Sequence, residues 1–186
     1  MTSISLNLQS GGVDGSLLVL GGARSGKSRF AEGAMTDLPA PWVYLATGRA
    51  FDDEMRERIA QHQRDRGLAG WLTVEEPFDV ASVLAQQGNT PVLLDCLTLW
   101  LTNLLLDERD VEASTQALLA SLRVRKAPTV LVGNEVGLGI VPESSLGRRF
   151  RDEAGRLHQR LAACVGKVVF VAAGLPLVLK NSSAPV

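Results

Sequence analysis

The sequence predicts a doubly wound α/β domain, a mostly parallel sheet flanked by helices, and three observations carry that expectation. Short apolar runs recur along the chain without polar alternation, as in strands buried on both faces. Helix-like segments separate those runs, a rhythm that right-handed crossovers onto one sheet satisfy. The length of 186 residues is enough to bury one substantial core.

The runs are, in order, Leu17-Leu18-Val19-Leu20, Trp42-Val43-Tyr44-Leu45, Val92-Leu93-Leu94, Thr129-Val130-Leu131-Val132 and Val168-Val169-Phe170-Val171. Trp71 to Glu75 and Leu177 to Lys180 are weaker candidates, expected at sheet edges. Arg29 to Met35 is compatible with a helix. A second helix is expected from Asp52-Asp53-Glu54, whose negative charge suits a helix start, to near Gly67. The clearest helix runs from Ser144 to Cys164, where Leu146, Phe150, Leu157, Leu161 and Cys164 recur at helical spacing opposite arginines.

Composition excludes several classes of function. The formal net charge is -1, with 46% hydrophobic and 21% charged residues, so no overall field draws the chain to nucleic acid or anionic lipid. No cationic leader precedes an apolar core and no run of 18 apolar residues occurs, so a soluble, cytoplasmic protein is expected. Cys96 and Cys164 lie in apolar stretches and read as buried free thiols, and with only 2 histidines a zinc site is not expected.

Gly21-Gly22-Ala23-Arg24-Ser25-Gly26-Lys27-Ser28 fits G-x-x-x-x-G-K-[ST], the P-loop. Its glycines let successive N–H groups curl around phosphate oxygens, and the helix that follows directs its positive end at the anion. Lys27 would reach the β- and γ-phosphates, and the Ser28 hydroxyl would ligate Mg2+. The apolar run before the motif and the helical stretch after it are the context it requires. The fold class thereby sharpens to a P-loop NTPase-type, RecA-like sheet. A second acidic residue at the end of a neighbouring strand completes such a metal shell, and Asp95, closing Val92-Leu93-Leu94, suits that place; a helix cap is the alternative. Residues 1–15 are expected to be a flexible extension, and 16–186 a single nucleotide-binding catalytic domain.

His62 lies in a polar stretch with Arg64 and Arg66. It is either a plain surface histidine or an exposed imidazole placed to attack phosphorus, and spacing alone leaves both open. His158, near Arg156 and Arg160, is expected to be solvated or structural.

Further segments carry a resemblance. They are Tyr44-Leu45-Ala46-Thr47, Asp52-Asp53-Glu54-Met55 with Arg58-Ile59 and His62, then Trp71, Thr73 and Glu75, and Leu94-Asp95-Cys96-Leu97-Thr98 with Asn103-Leu104-Leu105. They continue through Asn134-Glu135-Val136-Gly137, Gly139-Ile140-Val141-Pro142-Glu143, Arg149-Phe150-Arg151-Asp152 and Ala173-Gly174-Leu175-Pro176. With the P-loop, these resemble the bifunctional adenosylcobinamide kinase/adenosylcobinamide-phosphate guanylyltransferase family of cobalamin biosynthesis, from Leu17 to Lys180. The stretch from His62 to Trp71 is one residue longer than the family pattern, and His158 stands where the family more often has Asn.

The resemblance implies phosphorylation of adenosylcobinamide by ATP or GTP, then transfer of GMP from GTP onto that phosphate through a covalent histidine–GMP species. His62 matches the histidine that carries GMP, with Lys27 as its catalytic companion. Nucleotide contacts are implied at the P-loop, at Ala46, Thr47, Gly48 and Arg49, at Gln63, Arg64 and Arg66, and at Glu75 and Asp95. Association of identical subunits is implied as well. Two other readings compete. One is a P-loop small-molecule kinase without nucleotidyl transfer. The other is a RecA-like regulatory ATPase acting on a protein or nucleic acid, for which Arg148, Arg149 and Arg151 offer only a local basic cluster.

Overall fold

The computed structural model of the chain describes residues 8, 11–49 and 69–182. Strands form at Ser16–Gly21 (β1), Trp42–Ala46 (β2), Trp71–Glu75 (β3), Val92–Asp95 (β4), Thr129–Asn134 (β5), Lys167–Ala172 (β6) and Leu175–Asn181 (β7). The helices among the described residues are Lys27–Thr36 (α1), Val80–Gln86 (α2), Leu97–Leu106 (α3), Val111–Val124 (α4) and Ser145–Cys164 (α5).

The strands make one sheet in the order β3-β2-β4-β5-β1-β6-β7. Every pair is parallel except β6 with β7. Alternate side chains of each strand face opposite ways, so the apolar runs feed two cores. Leu18, Leu20, Leu94 and Leu131 pack on one face with Trp100, Leu118, Leu122, Leu157 and Leu161 of α3, α4 and α5. Leu17, Val19, Val130 and Val169 pack on the other, with Ala31 and Met35 of α1. The result is the expected P-loop NTPase-type, RecA-like architecture, with β3 and β7 at its edges. Among the described residues no helix is long and apolar enough to cross a membrane.

The intervals whose helices the sequence pattern does not delimit are bounded by side-chain caps. Asp79 accepts from the Ser82 N–H at 3.1 Å and Asp110 from the Ala113 N–H at 2.9 Å, which starts α2 and α4. Ser144 does the same for α5 through the Gly147 N–H at 3.0 Å.

Three expectations need correction. The segment ahead of β1 is not loose where it is described: Val13 accepts from the Gly166 N–H at 2.7 Å and Gly15 from the Thr129 N–H at 3.2 Å. Those donors open β5 and β6, and unpaired they would be buried at the amino edge of the sheet, so the segment supplies their acceptors. Asp14 likewise accepts from the buried Lys167 ammonium, and Leu8 is buried in the α1-side core. Leu146 is exposed, because packing under α5 begins only at Phe150, half-buried against the cluster of Leu101, Leu105 and Ala154. Cys164 is half-buried, whereas Cys96 is buried as expected.

Arg125 joins three parts of the α4 side. It is buried, donates Nε to Thr129 Oγ1 at 3.0 Å, and donates through Nη1 and Nη2 to the Leu84 and Thr90 carbonyls. Burial pushes its pKa down to about 10, which leaves it charged at neutral pH. Arg125→Met keeps an apolar stem but strands both carbonyls, and should cost ~3 kcal/mol in chemical unfolding, with the secondary structure retained.

Candidate active site

Strand β1 ends at Gly21, and the chain turns through Gly22 to Gly26 before Lys27 opens α1. A Cβ at Gly21 would sit 2.4 Å from the Val171 carbonyl oxygen, so nothing larger than glycine leaves the strand there. Gly26 caps α1 with φ of 93°, a left-handed conformation that glycine adopts without strain. The Ser25 carbonyl accepts from the Gly174 N–H at 2.8 Å, which latches the loop to the β6–β7 turn. Lys27 is buried, and its ammonium lies across the loop on the Gly22 carbonyl at 3.1 Å. Ser25 Oγ is buried without a hydrogen-bond partner among the described residues, a polar atom turned inward beside the cradle. Ser28 is half-buried on the first turn of α1, while Ala23 and Arg24 are exposed.

The other predicted contacts that are among the described residues lie on the same carboxyl-terminal edge, at increasing distance. Asp95 ends β4, two strands from β1, so about 10 Å away at normal strand spacing. Its Oδ2 accepts from the Tyr44 hydroxyl at 2.9 Å. Ala46 ends β2 and Glu75 ends β3, the latter four strands or about 19 Å from β1. The structure therefore brings Asp95 near the P-loop and sets Ala46 to Arg49 and Glu75 apart as a second group.

That second group is held by a buried network. Thr47 Oγ1 donates to the Cys96 carbonyl at 2.7 Å and accepts from the Cys96 N–H at 2.9 Å, which commits this fully buried side chain to structure. Asn103 Nδ2 donates to the Thr47 carbonyl at 2.8 Å and the Pro77 carbonyl at 3.1 Å, tying the loops after β2 and β3 together. Arg49 pairs with Asp107 at 2.8 Å and lies 5.6 Å from the Phe78 ring, while Gly48 sits against Leu99. Cys96 itself caps α3 through Sγ and the Leu99 N–H at 3.5 Å. Burial, reinforced by the adjacent Asp95 carboxylate, pushes its thiol up, so it stays protonated and is no nucleophile. His62, Gln63, Arg64 and Arg66 lie outside the described residues.

The sequence reading assigns no site role to Asn134 and Glu135, although they are a polar pair at the carboxyl end of an expected strand. That β5 inserts between β4 and β1 is what makes them matter. Asn134 is the register partner of Gly21, its N–H donates to Thr98 Oγ1 at 2.8 Å, and the Glu135 N–H donates to the Gly21 carbonyl at 3.1 Å. His158 Nδ1 lies 4.0 Å from Glu135 Oε2. A Cβ at Gly133 would meet His158 Nε2 at 3.0 Å and Leu20 Cδ2 at 3.2 Å.

Residues 17–179 match the family model described as cobinamide kinase / cobinamide phosphate guanyltransferase. The chain belongs to this family. It is 48% identical over 168 residues to the bifunctional adenosylcobalamin biosynthesis protein CobP of Pseudomonas aeruginosa, covering 88% of this chain and 96% of that one. It is 41% identical to the bifunctional protein CobU of Salmonella typhimurium, covering 88% of this chain and 99% of the relative. Two solved structures share the fold alone. One is the flagellar accessory protein FlaH of Methanocaldococcus jannaschii, TM-score 0.55 at 14% identity over 94% of this chain and 82% of that one. The other is a protein of Pyrococcus horikoshii, TM-score 0.51 at 10% identity over 93% of this chain and 88% of that one. Family membership makes the chain a bifunctional transferase of cobalamin biosynthesis, a cobinamide kinase and cobinamide phosphate guanylyltransferase.

In this cobinamide kinase/guanylyltransferase, His158 is structural rather than solvated. Burial holds its imidazole below the ordinary histidine range, and the Glu135 carboxylate opposes that only in part. A histidine whose folded pKa lies below its unfolded one binds its proton more readily when unfolded. The protein should therefore lose stability as the pH falls through about 6.5 toward the lower folded value, and gain nothing from this group above it. Melting temperatures at pH 7.5 and 5.5 should diverge less in His158→Gln than in the parent protein.

Proposed function

We propose that the P-loop edge phosphorylates adenosylcobinamide on its aminopropanol hydroxyl and then guanylylates the product, with His62 carrying GMP between the two substrates. The observation that carries this reading is the Gly21 to Ser28 cradle on a central strand, within a chain that matches the kinase/guanylyltransferase family over residues 17–179. ATP or GTP serves the first step and GTP the second, and the final products are adenosylcobinamide-GDP and pyrophosphate.

The donor set suits Mg2+. Ser28 offers an alcohol oxygen on α1 and Asp95 a carboxylate two strands away. Mg2+ prefers hard oxygen ligands, few of them from protein, with water and phosphate filling the rest. The Tyr44 hydroxyl on Asp95 Oδ2 orients that carboxylate. When bound, the ion neutralises charge on the phosphates.

In the guanylyl transfer, a neutral His62 nitrogen attacks the α-phosphorus of GTP. An N–P bond forms, the bond from the α-phosphorus to the bridging oxygen breaks, and pyrophosphate leaves with its charge balanced by Lys27. The cobinamide phosphate oxygen then attacks the same phosphorus and His62 departs, so one difficult reaction between two anions becomes two displacements. Arg64 and Arg66, Gln63, the Ala46-Thr47-Gly48-Arg49 segment and Glu75 position the guanosine and its phosphate; for Thr47 this acts through its backbone, since its side chain is engaged by Cys96. The partners are small molecules, not nucleic acid or membrane. Exposed Leu175, Leu177 and Leu179 on the edge strand β7 support association of identical subunits; the cytoplasm is the location that goes with this reading.

Incubation with Mg2+ and α-labelled GTP should leave label on the denatured protein, in a bond labile to acid and stable to alkali. His62→Ala should abolish it, and addition of adenosylcobinamide phosphate should chase it into a small molecule. Normal GTP binding with no retained label would remove the covalent route and leave a P-loop small-molecule kinase.

A further inference from the structure

The kinase step needs a group to receive the proton of the acceptor hydroxyl, and the carboxylates at the carboxyl edge of the sheet are few. Those that end or directly follow a strand there, among the described residues, are Glu75 and Glu76 at β3, Asp95 at β4 and Glu135 after β5; Asp79 caps the helix after β3 and Asp107 is paired with Arg49. Glu75 and Glu76 are four strands from β1, and Glu76 is committed to the Phe78 and Asp79 N–H groups at 2.8 and 2.9 Å. Asp95 accepts from Tyr44 and suits a metal. The position after it, where a second acid would stand beside the first, is the buried thiol of Cys96.

Glu135 remains, and its placement is specific. Its backbone N–H donates to the carbonyl of Gly21, the first residue of the P-loop, on the strand directly beside β1. Its carboxylate is oriented by the Gly137 N–H, which donates to Oε1. Among the described residues no Lys or Arg lies within 4.0 Å of it; its neighbour is His158, whose burial keeps it neutral. The side chain is 25% exposed and the chain beyond it is open, with Leu138 and Ile140 exposed at 83% and 98%, so a bulky acceptor has access.

We propose that Glu135 is the general base of the kinase step. The acceptor hydroxyl oxygen bonds to the γ-phosphorus, the bond from that phosphorus to the β–γ bridging oxygen breaks, and the nucleoside diphosphate leaves. The hydroxyl proton passes to the Glu135 carboxylate and from there to solvent. This rests on the reading of the P-loop as the site of nucleotide in the kinase step. A carboxylate in this role is the solution protein kinases use for a hydroxyl acceptor. The capping contact with Gly137 is the competing explanation for the residue, and it is separable, because a glutamine carbonyl accepts the same hydrogen bond without the basicity.

The test compares the parent protein with Glu135→Gln in two assays. One is phosphorylation of the cobinamide alcohol by ATP, and the other is guanylylation of cobinamide phosphate supplied ready-made. The expected result is a kinase kcat lower by about 100-fold or more, with the KM for ATP within about threefold and guanylyl transfer retained. A kinase rate within about threefold of the parent overturns the proposal. So does an equal loss of both activities, which would make Glu135 part of the shared nucleotide site or of the fold. If the parent protein itself does not phosphorylate the alcohol, the reading of the site fails instead, and the two failures are thereby distinct.

Discussion

Strand β1 exchanges backbone hydrogen bonds with β5 on one side and β6 on the other, in register from Leu17 to Gly21. Because both neighbours run parallel to it, all three release their chains at the same edge. The turn after β1 then meets the turn after β6, through the Gly174 N–H on Ser25, and the segment after β5, through the Glu135 N–H on Gly21. The cradle is therefore shaped by its neighbours as much as by its own glycines. The crowding of Gly21 by the Val171 carbonyl is the cost of that close approach.

The remainder of the edge is governed by the need to pair buried polar groups. Thr47 and Asn103 are almost wholly buried, and both direct their side-chain atoms at backbone groups of irregular segments. Segments without a regular ladder have no other way to satisfy those carbonyls and amides away from water. The effect is a hydrogen-bonded platform on the β2–β3 side, three to four strand spacings from the P-loop, that carries Arg49 and Glu75. At the opposite edge Arg125, Val13 and Gly15 serve the starts of β4, β5 and β6 in a comparable way.

The strands were legible because strands covered on both faces are continuously apolar, and Leu17 to Leu20 and Val130 to Val132 satisfy that. The P-loop was legible because backbone curvature and phosphate contact allow few alternatives at Gly21, Gly26 and Lys27. Strand order was not legible, since nothing in a run such as Thr129 to Val132 says which neighbours it takes. Asn134 and Glu135 carry part of the family resemblance, yet only the register of Asn134 with Gly21 places the pair beside the P-loop. Of the segment ahead of β1, the described residues 11–15 are held by backbone hydrogen bonds that composition does not reveal. Leu146 fits the helical stripe of α5 in one dimension, but burial depends on what lies beneath each turn.

The close approach of His158 to Gly133 joins two positions far apart in the chain into one shared volume. The imidazole fills the room that a side chain on β5 would take, with Leu20 crowding the same point. Substitutions at the two sites should therefore be epistatic rather than additive. A methyl group at position 133 is resisted while the ring is present, and a shorter side chain at 158, such as Asn, relieves one of its two collisions. Drift at the helix position thus sets which changes the strand beside the P-loop can accept, and the two sites are expected to vary together across relatives.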